Sequence, residues 1–327
     1  MNKHSSSQQV FAKEHLIHST GLLLVNKNEG PTSHQIVDMA RKALNIRKIG
    51  HCGTLDPFAS GLLILLIGEA TRLQQYFFQM NKTYEAVFNF GETTDTLDPT
   101  GTSEHVNKQF ALPELETIEK LIDRHFLGVI EQVPPKYSAI KVNGKRAYKL
   151  SREKKDFELK AREVTVHKFD IEKISPRTIK VYIECSSGTY VRALARDLGK
   201  ALGTHGMLQS LVRTQIERFS IKNALTPDQL TPANKTLHQA ILSVHNYIEP
   251  SHHIELDEKS FNMLKGGKLP ALLKWKKSNS RNNLSMLSPD ERQTLSASYQ
   301  LLFFNNLLVG IWERERNTLI YNVAKYL

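Results

Sequence analysis

The stretch Gly50-His51-Cys52-Gly53-Thr54-Leu55-Asp56-Pro57-Phe58-Ala59-Ser60-Gly61 holds one acid, Asp56, among three glycines and a proline. Glycine and proline at that density fix a tight loop between elements. A loop anchored at both ends is where a reactive side chain is usefully held. A lone carboxylate there is either an Asx-turn or helix-cap residue, or a reacting group. The tetrapeptide Thr-Leu-Asp-Pro recurs at Thr96–Pro99, inside Gly91–Gly101, so the local pattern does not choose between Asp56 and Asp98. Asp95 and Asp98 could hold Mg²⁺ through oxygen ligands, or simply close the turn after a strand. A third polar segment, Gly188-Thr189-Tyr190-Val191-Arg192-Ala193-Leu194-Ala195-Arg196, ends a strand and opens a helix with both arginines on one face. An arginine near a helix start opposes the dipole. A carboxylate partner would account for Arg192, and an ordinary charged surface helix is the alternative.

These residues need a scaffold, and its periods are readable. Gly21–Val25 and Leu62–Ile67 are short apolar runs expected to be buried strands. Pro31 opens a helix with capping-box spacing at Thr32 and Gln35, and with Ile36, Val37, Ala40, Ala43 and Leu44 as its apolar stripe. A short helix is expected near Thr71–Phe78. Tyr84, Ala86, Phe88 and Phe90 alternate along Thr83–Phe90, as do Ile179, Val181, Ile183 and Cys185, so both segments read as half-buried strands. Helices are expected over Pro113–Phe126, Thr189–Leu202 and Pro227–Ile248. Val133–Lys160, with Pro134-Pro135 and an Asn143-Gly144 turn, reads as a loop-rich arm. Past Pro250 the tail carries strand-like runs, Gln300–Phe304 and Leu307–Trp312, and a polar stretch, Lys274–Ser298. Strands and helices do not alternate regularly, which favours an α+β fold over a doubly wound sheet.

The chain has 327 residues, with 44 Lys and Arg against 33 Asp and Glu, a net charge of +11. That length suits two domains, or one large domain with an appendage. The run Leu62–Ile67 is far too short for a membrane helix. The first residues have no apolar core of a secretory signal, so a cytoplasmic location is expected. Two cysteines, Cys52 and Cys185, provide neither a disulfide framework nor a four-Cys zinc site. The positive excess is clustered. Ile140–Lys160 holds eight basic residues against three acids, Lys265–Arg281 holds six and no acid, and Arg41, Lys42, Arg47 and Lys48 form a third group. Without a matching apolar face, such runs favour nucleic-acid phosphate over a membrane surface.

The segment His51-x-Gly53-Thr54-Leu55-Asp56-Pro57-x-Ala59-x-Gly61-x-Leu63 resembles the catalytic signature of the TruB family of tRNA pseudouridine-55 synthases. Further family-like segments follow in order. They are Asn26-Lys27-x-x-Gly30, Gly68-Glu69-Ala70-Thr71-Arg72, Lys82-Thr83-Tyr84 and Gly91-x-x-Thr94-Asp95-Thr96-x-Asp98. Then come Tyr137-Ser138-Ala139-Ile140-Lys141, Gly188-Thr189-Tyr190-Val191-Arg192, Asp197-Leu198-Gly199 and Leu211-x-Arg213-Thr214.

The resemblance implies a catalytic Asp56, because that copy carries the His-x-Gly prefix, with Asp98 in a turn beside the site. It implies that Tyr84 stacks on the target base, that Arg192 pairs with the catalytic carboxylate with Tyr190 beside it, and that His51 fills the gap left by the everted base. Lys27 and Leu211 match pocket residues. The implied fold is a mixed, largely antiparallel sheet with flanking helices. The implied organisation is a leader (1–17), a catalytic domain (18–250) with a basic thumb-like insertion (133–160), and a small β-rich, PUA-like RNA-binding domain (251–327). The implied partner is the T stem-loop of tRNA, with no obligate protein partner. The reaction breaks an N1–C1′ bond and remakes it through C5, so neither cofactor nor metal is expected. A flipped base needs an aromatic face and phosphate contacts. A single carboxylate also sets this chemistry apart from glycoside hydrolysis, which normally uses two. The competing reading is a non-catalytic tRNA-binding or folding protein on the same scaffold.

Overall fold

The computed structural model describes residues 20–107, 109–142, 144–249, 252–268, 299–305, 307–313 and 318–322. The expected leader and the polar stretch 274–298 lie outside the described residues. The chain divides into two compact units. One comprises Leu23–Leu65 and Leu73–Lys235, and the other holds Leu66–Arg72, the chain up to Leu22 and the chain from Thr236 onward.

The elements are, in chain order, β1 (Gly21–Lys27), α1 (Ser33–Leu44), β2 (Ile49–Cys52), β3 (Ser60–Ile67), α2 (Gln74–Gln79), β4 (Lys82–Phe90), β5 (Glu92–Thr94), β6 (Ser103–Val106) and α3 (Leu115–His125). There follow β7 (Gly128–Gln132), β8 (Lys141–Val142), β9 (Lys145–Arg146), α4 (Ala147–Arg152), β10 (Arg162–Lys173), β11 (Thr178–Cys185), α5 (Val191–Ala201), β12 (Gly206–Ile216) and β13 (Phe219–Ser220). The remainder is β14 (His253–Glu255), α6 (Glu258–Lys265), β15 (Tyr299–Phe304), β16 (Leu307–Glu313) and β17 (Thr318–Asn322).

The main sheet runs β1-β3-β12-β4-β11-β10-β7, with β2 on β3 and β13 on β12. β12, β4, β11, β10 and β7 pair antiparallel in succession, and β3 pairs parallel with β12. This is the mixed, largely antiparallel α+β sheet that the resemblance implies. β4 and β11 alternate in burial as their sequences alternate: Tyr84, Ala86, Phe88 and Phe90 share one buried set with Ile179, Val181, Ile183 and Cys185. Ile118 and Ile122 of α3 and Leu194 and Leu198 of α5 complete that core. Each such side chain contributes about 1.5–3 kcal/mol by leaving water. At the start of α1, Thr32 Oγ1 accepts from the Gln35 amide at 3.2 Å and Gln35 Oε1 accepts from the Thr32 amide at 2.7 Å, which is the capping box its spacing predicts.

The segment Pro227–Ile248 is not the expected helix. It forms three separate 3₁₀ turns, Pro227–Gln229, Leu237–Ala240 and Val244–Tyr247. Pro232 has no amide to donate, and Thr231, Asn234 and Thr236 compete with the backbone for hydrogen bonds. In the second unit β14-β15-β16-β17 form a small sheet, parallel between β14 and β15 and antiparallel thereafter. α6 packs on it through Phe261 and Leu264, against Leu302, Val309 and Trp312.

Gly61 marks the closest approach between β3 and β12. Its φ is +112°, and an added Cβ would lie 2.4 Å from the Arg213 carbonyl oxygen and 2.5 Å from its amide nitrogen. Neither backbone atom can yield without parting the strands. Gly61→Ala is expected to cost about 2–3 kcal/mol, read as a lower urea midpoint at unchanged m-value. An unshifted midpoint would refute the role given to this contact.

Candidate active site

The Asp56 loop is braced from below. Lys27, at the end of β1, is fully buried, and its ammonium donates to the carbonyls of Asn28 (2.9 Å), Pro31 (2.9 Å) and Pro57 (3.3 Å). The Gly30 amide donates to the same Pro57 carbonyl at 2.8 Å. Ser33, in the first turn of α1, receives the Leu55 amide at 2.9 Å and donates its hydroxyl to the Leu55 carbonyl at 3.0 Å. The Ala59 amide closes a turn on the Asp56 carbonyl. With its backbone tied on both sides of Asp56, the loop presents the carboxylate at one position, which is what precise placement of a reacting group requires.

That carboxylate meets Arg192. Arg192 Nη2 lies 2.9 Å from Asp56 Oδ2, and Nη1 lies 3.4 Å from Asp98 Oδ2. The guanidinium, buried to 5% exposure, also donates to the carbonyls of Thr96 (2.8 Å) and Tyr137 (3.0 Å). Both copies of Thr-Leu-Asp-Pro therefore converge on one arginine, a relation that neither copy reveals alone. Their environments separate them. Asp98 Oδ1 accepts from Thr96 Oγ1 (2.8 Å), from the Thr100 amide (3.0 Å) and from the Thr100 hydroxyl, and the side chain is 5% exposed. Asp56 is 36% exposed, and among the described residues its carboxylate is held by Arg192. Burial pushes the Asp56 carboxyl above its usual range and Asp98 pushes it the same way, while Arg192 and Lys27 pull it down. Asp95 is also engaged, accepting from the Thr102 amide (2.8 Å) and the Tyr137 hydroxyl (3.1 Å). Two carboxylates filled by donors and by an arginine have little left for a hard cation, which disfavours the Mg²⁺ reading of Asp95 and Asp98.

Asp56 and Arg192 stand on the wall of a cavity of about 540 Å³, a size that accepts a nucleotide-scale ligand. Tyr84, Tyr190, Leu211, Lys82, Ser138 and Arg213 line it with them. Tyr84 sits on β4. Burial raises its phenol above the ordinary value against the nearby Arg213 charge, so the hydroxyl keeps its proton at neutral pH. Tyr190 precedes α5 and is fixed by Gln132 of β7, whose amide oxygen receives the Tyr190 amide (2.8 Å) and whose nitrogen donates to the Tyr190 carbonyl (3.2 Å).

Of the residues expected at the substrate, Lys27 and His51 are not brought to the cavity wall. Lys27 faces carbonyls beneath the loop, and burial lowers its pKa to about 8. His51 lies within β2, with Nδ1 buried and without a partner among the described residues. Burial, reinforced by the Arg213 charge, lowers its pKa to about 4.

Arg213, Gln132 and Lys82 carry structural weight that sequence reasoning did not assign them. Arg213, 1% exposed, donates Nε to the Leu62 carbonyl (2.7 Å) and Nη2 to the Gly53 carbonyl (3.0 Å), tying β12 to β3 and to the loop before Asp56. A signal existed, since Arg213 is two residues from Leu211 on one strand and shares its face. Lys82 donates to the Phe78 and Met80 carbonyls, and burial lowers its pKa to about 8. For Gln132 the sequence around it carries no signal.

Residues 41–191 match the TruB family pseudouridylate synthase profile, N-terminal domain. The chain is 46% identical over 217 residues to a protein of Arthrobacter sp. (strain FB24) named tRNA pseudouridine synthase B, covering 64% of this chain and 70% of that one. It is 38% identical over 252 residues to the protein of the same name from Borreliella burgdorferi (strain ZS7), covering 76% and 85%. The chain belongs to the TruB family. The TruB fold is also seen in a crystal structure of a Cbf5-Nop10-Gar1 complex, at a TM-score of 0.63 and 20% identity, covering 94% of this chain and 84% of that one.

His51 provides a test of the loop's electrostatics. Its folded pKa of about 4 lies below the ordinary 6.5, so the neutral ring contributes stability that is present above pH 6.5 and lost as pH falls towards 4. His51→Gln should flatten the fall in urea midpoint over that window. Parallel curves for the two proteins would show that His51 does not titrate as its burial requires.

Proposed function

We propose that this TruB protein isomerises uridine to pseudouridine at position 55 in the T loop of tRNA. The observation that carries the reading is the Asp56–Arg192 pair, which sets a partly exposed carboxylate against a buried guanidinium at the wall of a nucleotide-sized cavity. The reaction is an internal exchange: N1–C1′ breaks, C5–C1′ forms, C5 gives up a proton and N1 gains one. No atom is lost and no redox equivalent is needed, so positioned charge and shape are what the protein must supply.

Asp56 is the catalytic residue in this reading, and Arg192 keeps it charged and aimed. Burial alone would favour the neutral acid, and the opposite charge at 2.9 Å works against that. Tyr84, protonated and nearly enclosed, offers its ring face to the everted base and a hydroxyl to its edge. Tyr190 and Leu211 bound the base on other sides. Lys27 acts from behind the loop, holding Pro57 and adding a positive charge near Asp56. His51, within β2, is assigned to the space that the flipped base vacates.

The basic arm at 133–160 is assigned to the RNA backbone. Its nine basic residues are all exposed, and its stem, Ser138–Ile140, lines the cavity. The β-rich tail is assigned a PUA-like role on the same RNA. Among the described residues no helix is long and apolar enough to cross a membrane.

Incubating the protein with unmodified tRNA and mapping pseudouridine by carbodiimide primer extension tests the reading. Asp56→Asn should reduce product formation by more than about 10³-fold while tRNA binding persists. Asp98→Asn loosens Arg192 without touching the base, so it should lower kcat by about 10²-fold and leave some turnover. A T loop that stays unmodified by the wild-type protein, with tRNA still bound, would favour the binding-only reading. An inactive Asp98→Asn beside an active Asp56→Asn would mean that the other copy reacts.

A further inference from the structure

The second unit holds a polar cluster that pseudouridine formation does not use. His245 comes from the 3₁₀ turn Val244–Tyr247, and His253 and Glu255 come from β14. On a strand, residues two apart share a face, so His253 and Glu255 point the same way. The ligand atoms of all three residues lie within 4.8 Å of one another. Glu255 Oε2 is 3.3 Å from His253 Nε2 and 3.6 Å from His245 Nε2. Ligands bound tetrahedrally at about 2.0–2.1 Å from zinc stand roughly 3.3 Å apart, so both separations are close to tetrahedral edges.

Two further observations make this more than a group of surface charges. First, the rings are oriented by packing. The ring of Phe303, fully buried on β15, lies 4.5 Å from that of His253 and 5.1 Å from that of His245, edge-on to the latter. Second, His245 Nδ1 lies 3.3 Å from the side-chain oxygen of Asn246, which accepts the proton of the Nδ1–H tautomer. In that tautomer Nε2 keeps its lone pair 3.6 Å from a carboxylate oxygen that is itself only an acceptor. A cation between them resolves the repulsion. A metal-bound imidazole commonly gives its other N–H to just such an oxygen.

We propose that His245, His253 and Glu255 bind one Zn²⁺ ion, with water at the fourth position, and that the ion clips the 244–247 turn to β14. Two imidazoles and one carboxylate gathered within 4.8 Å of one another suit zinc better than Mg²⁺ or Ca²⁺, which prefer all-oxygen sets of higher coordination. The expectation of no metal rested on the cysteine count and on the cofactor-free reaction. Neither bears on a His-Glu site outside the catalytic cavity.

The test uses the untagged full chain, stripped with EDTA, reloaded with Zn²⁺, desalted and assayed for metal by mass spectrometry. Wild type should retain about one more equivalent of Zn²⁺ than the double variant His245→Asn, His253→Asn, and Zn²⁺ should raise its Tm. An unchanged far-UV circular dichroism spectrum and an unchanged metal-free Tm report that the variants fold. Glu255→Gln keeps the shape and the hydrogen bonding and should weaken Zn²⁺ binding by about tenfold or more. Co²⁺ in place of Zn²⁺ should give visible bands of tetrahedral strength in wild type that Glu255→Gln loses. Equal Zn²⁺ retention in wild type and double variant, or an unchanged affinity in Glu255→Gln, would overturn the site and leave the cluster as a pair of imidazoles sharing a carboxylate.

Discussion

A guanidinium taken almost wholly out of water must have every face satisfied, because an uncompensated buried charge costs several kcal/mol. Arg192 meets that demand with two carboxylates and two backbone carbonyls. The contacts come to α5 from three other places in the chain: the loop after β2, the turn after β5, and the base of the basic arm. Satisfying one side chain thus draws three distant segments together at the cavity. An arginine near a helix start is unfavourable in isolation, and here Asp56 and Asp98 reverse that local sign.

The same economy governs the carboxylates. Two acids on one cation do not remain equivalent unless their surroundings match, and these do not. Asp98 is locked by threonine hydroxyls and an amide, whereas Asp56 keeps solvent-facing surface at the cavity. The locked acid fixes the arginine, and the arginine fixes the open acid. Three buried cations, Lys27 behind the wall and Lys82 and Arg213 on it, spend their donors on main-chain carbonyls, so they stiffen the loop and strands. The exposed lysines and arginines of the arm, proposed above to meet RNA phosphate, are a different population, whose contacts water and ions moderate.

The +11 net charge therefore divides into charge that builds and charge that binds. Composition cannot separate them, since a lysine beneath a loop and a lysine on an arm count alike. Lys27 shows the difference: matched by family resemblance to a pocket position, it is placed by folding under Pro57. The two histidine-bearing segments of the tail show the converse. His245 and His253 flank Pro250 in sequence with no recognisable ligand spacing, and they meet only because a 3₁₀ turn replaces the expected helix.

Local patterns settled much of this protein. Alternation placed Tyr84 and the β4 and β11 cores, and the Thr32–Gln35 spacing set the start of α1. Each of these depends on residues a few positions apart, where backbone geometry makes period and neighbour predictable. Tertiary structure decided what depends on long-range approach. Asp98 reaches Arg192 from 94 positions away, Arg213 reaches Gly53 from a neighbouring strand, and Gln132 holds the entrance to α5. The reason is physical: hydrogen-bond and charge satisfaction in a buried site is a constraint on three-dimensional neighbours, and no one-dimensional period encodes it.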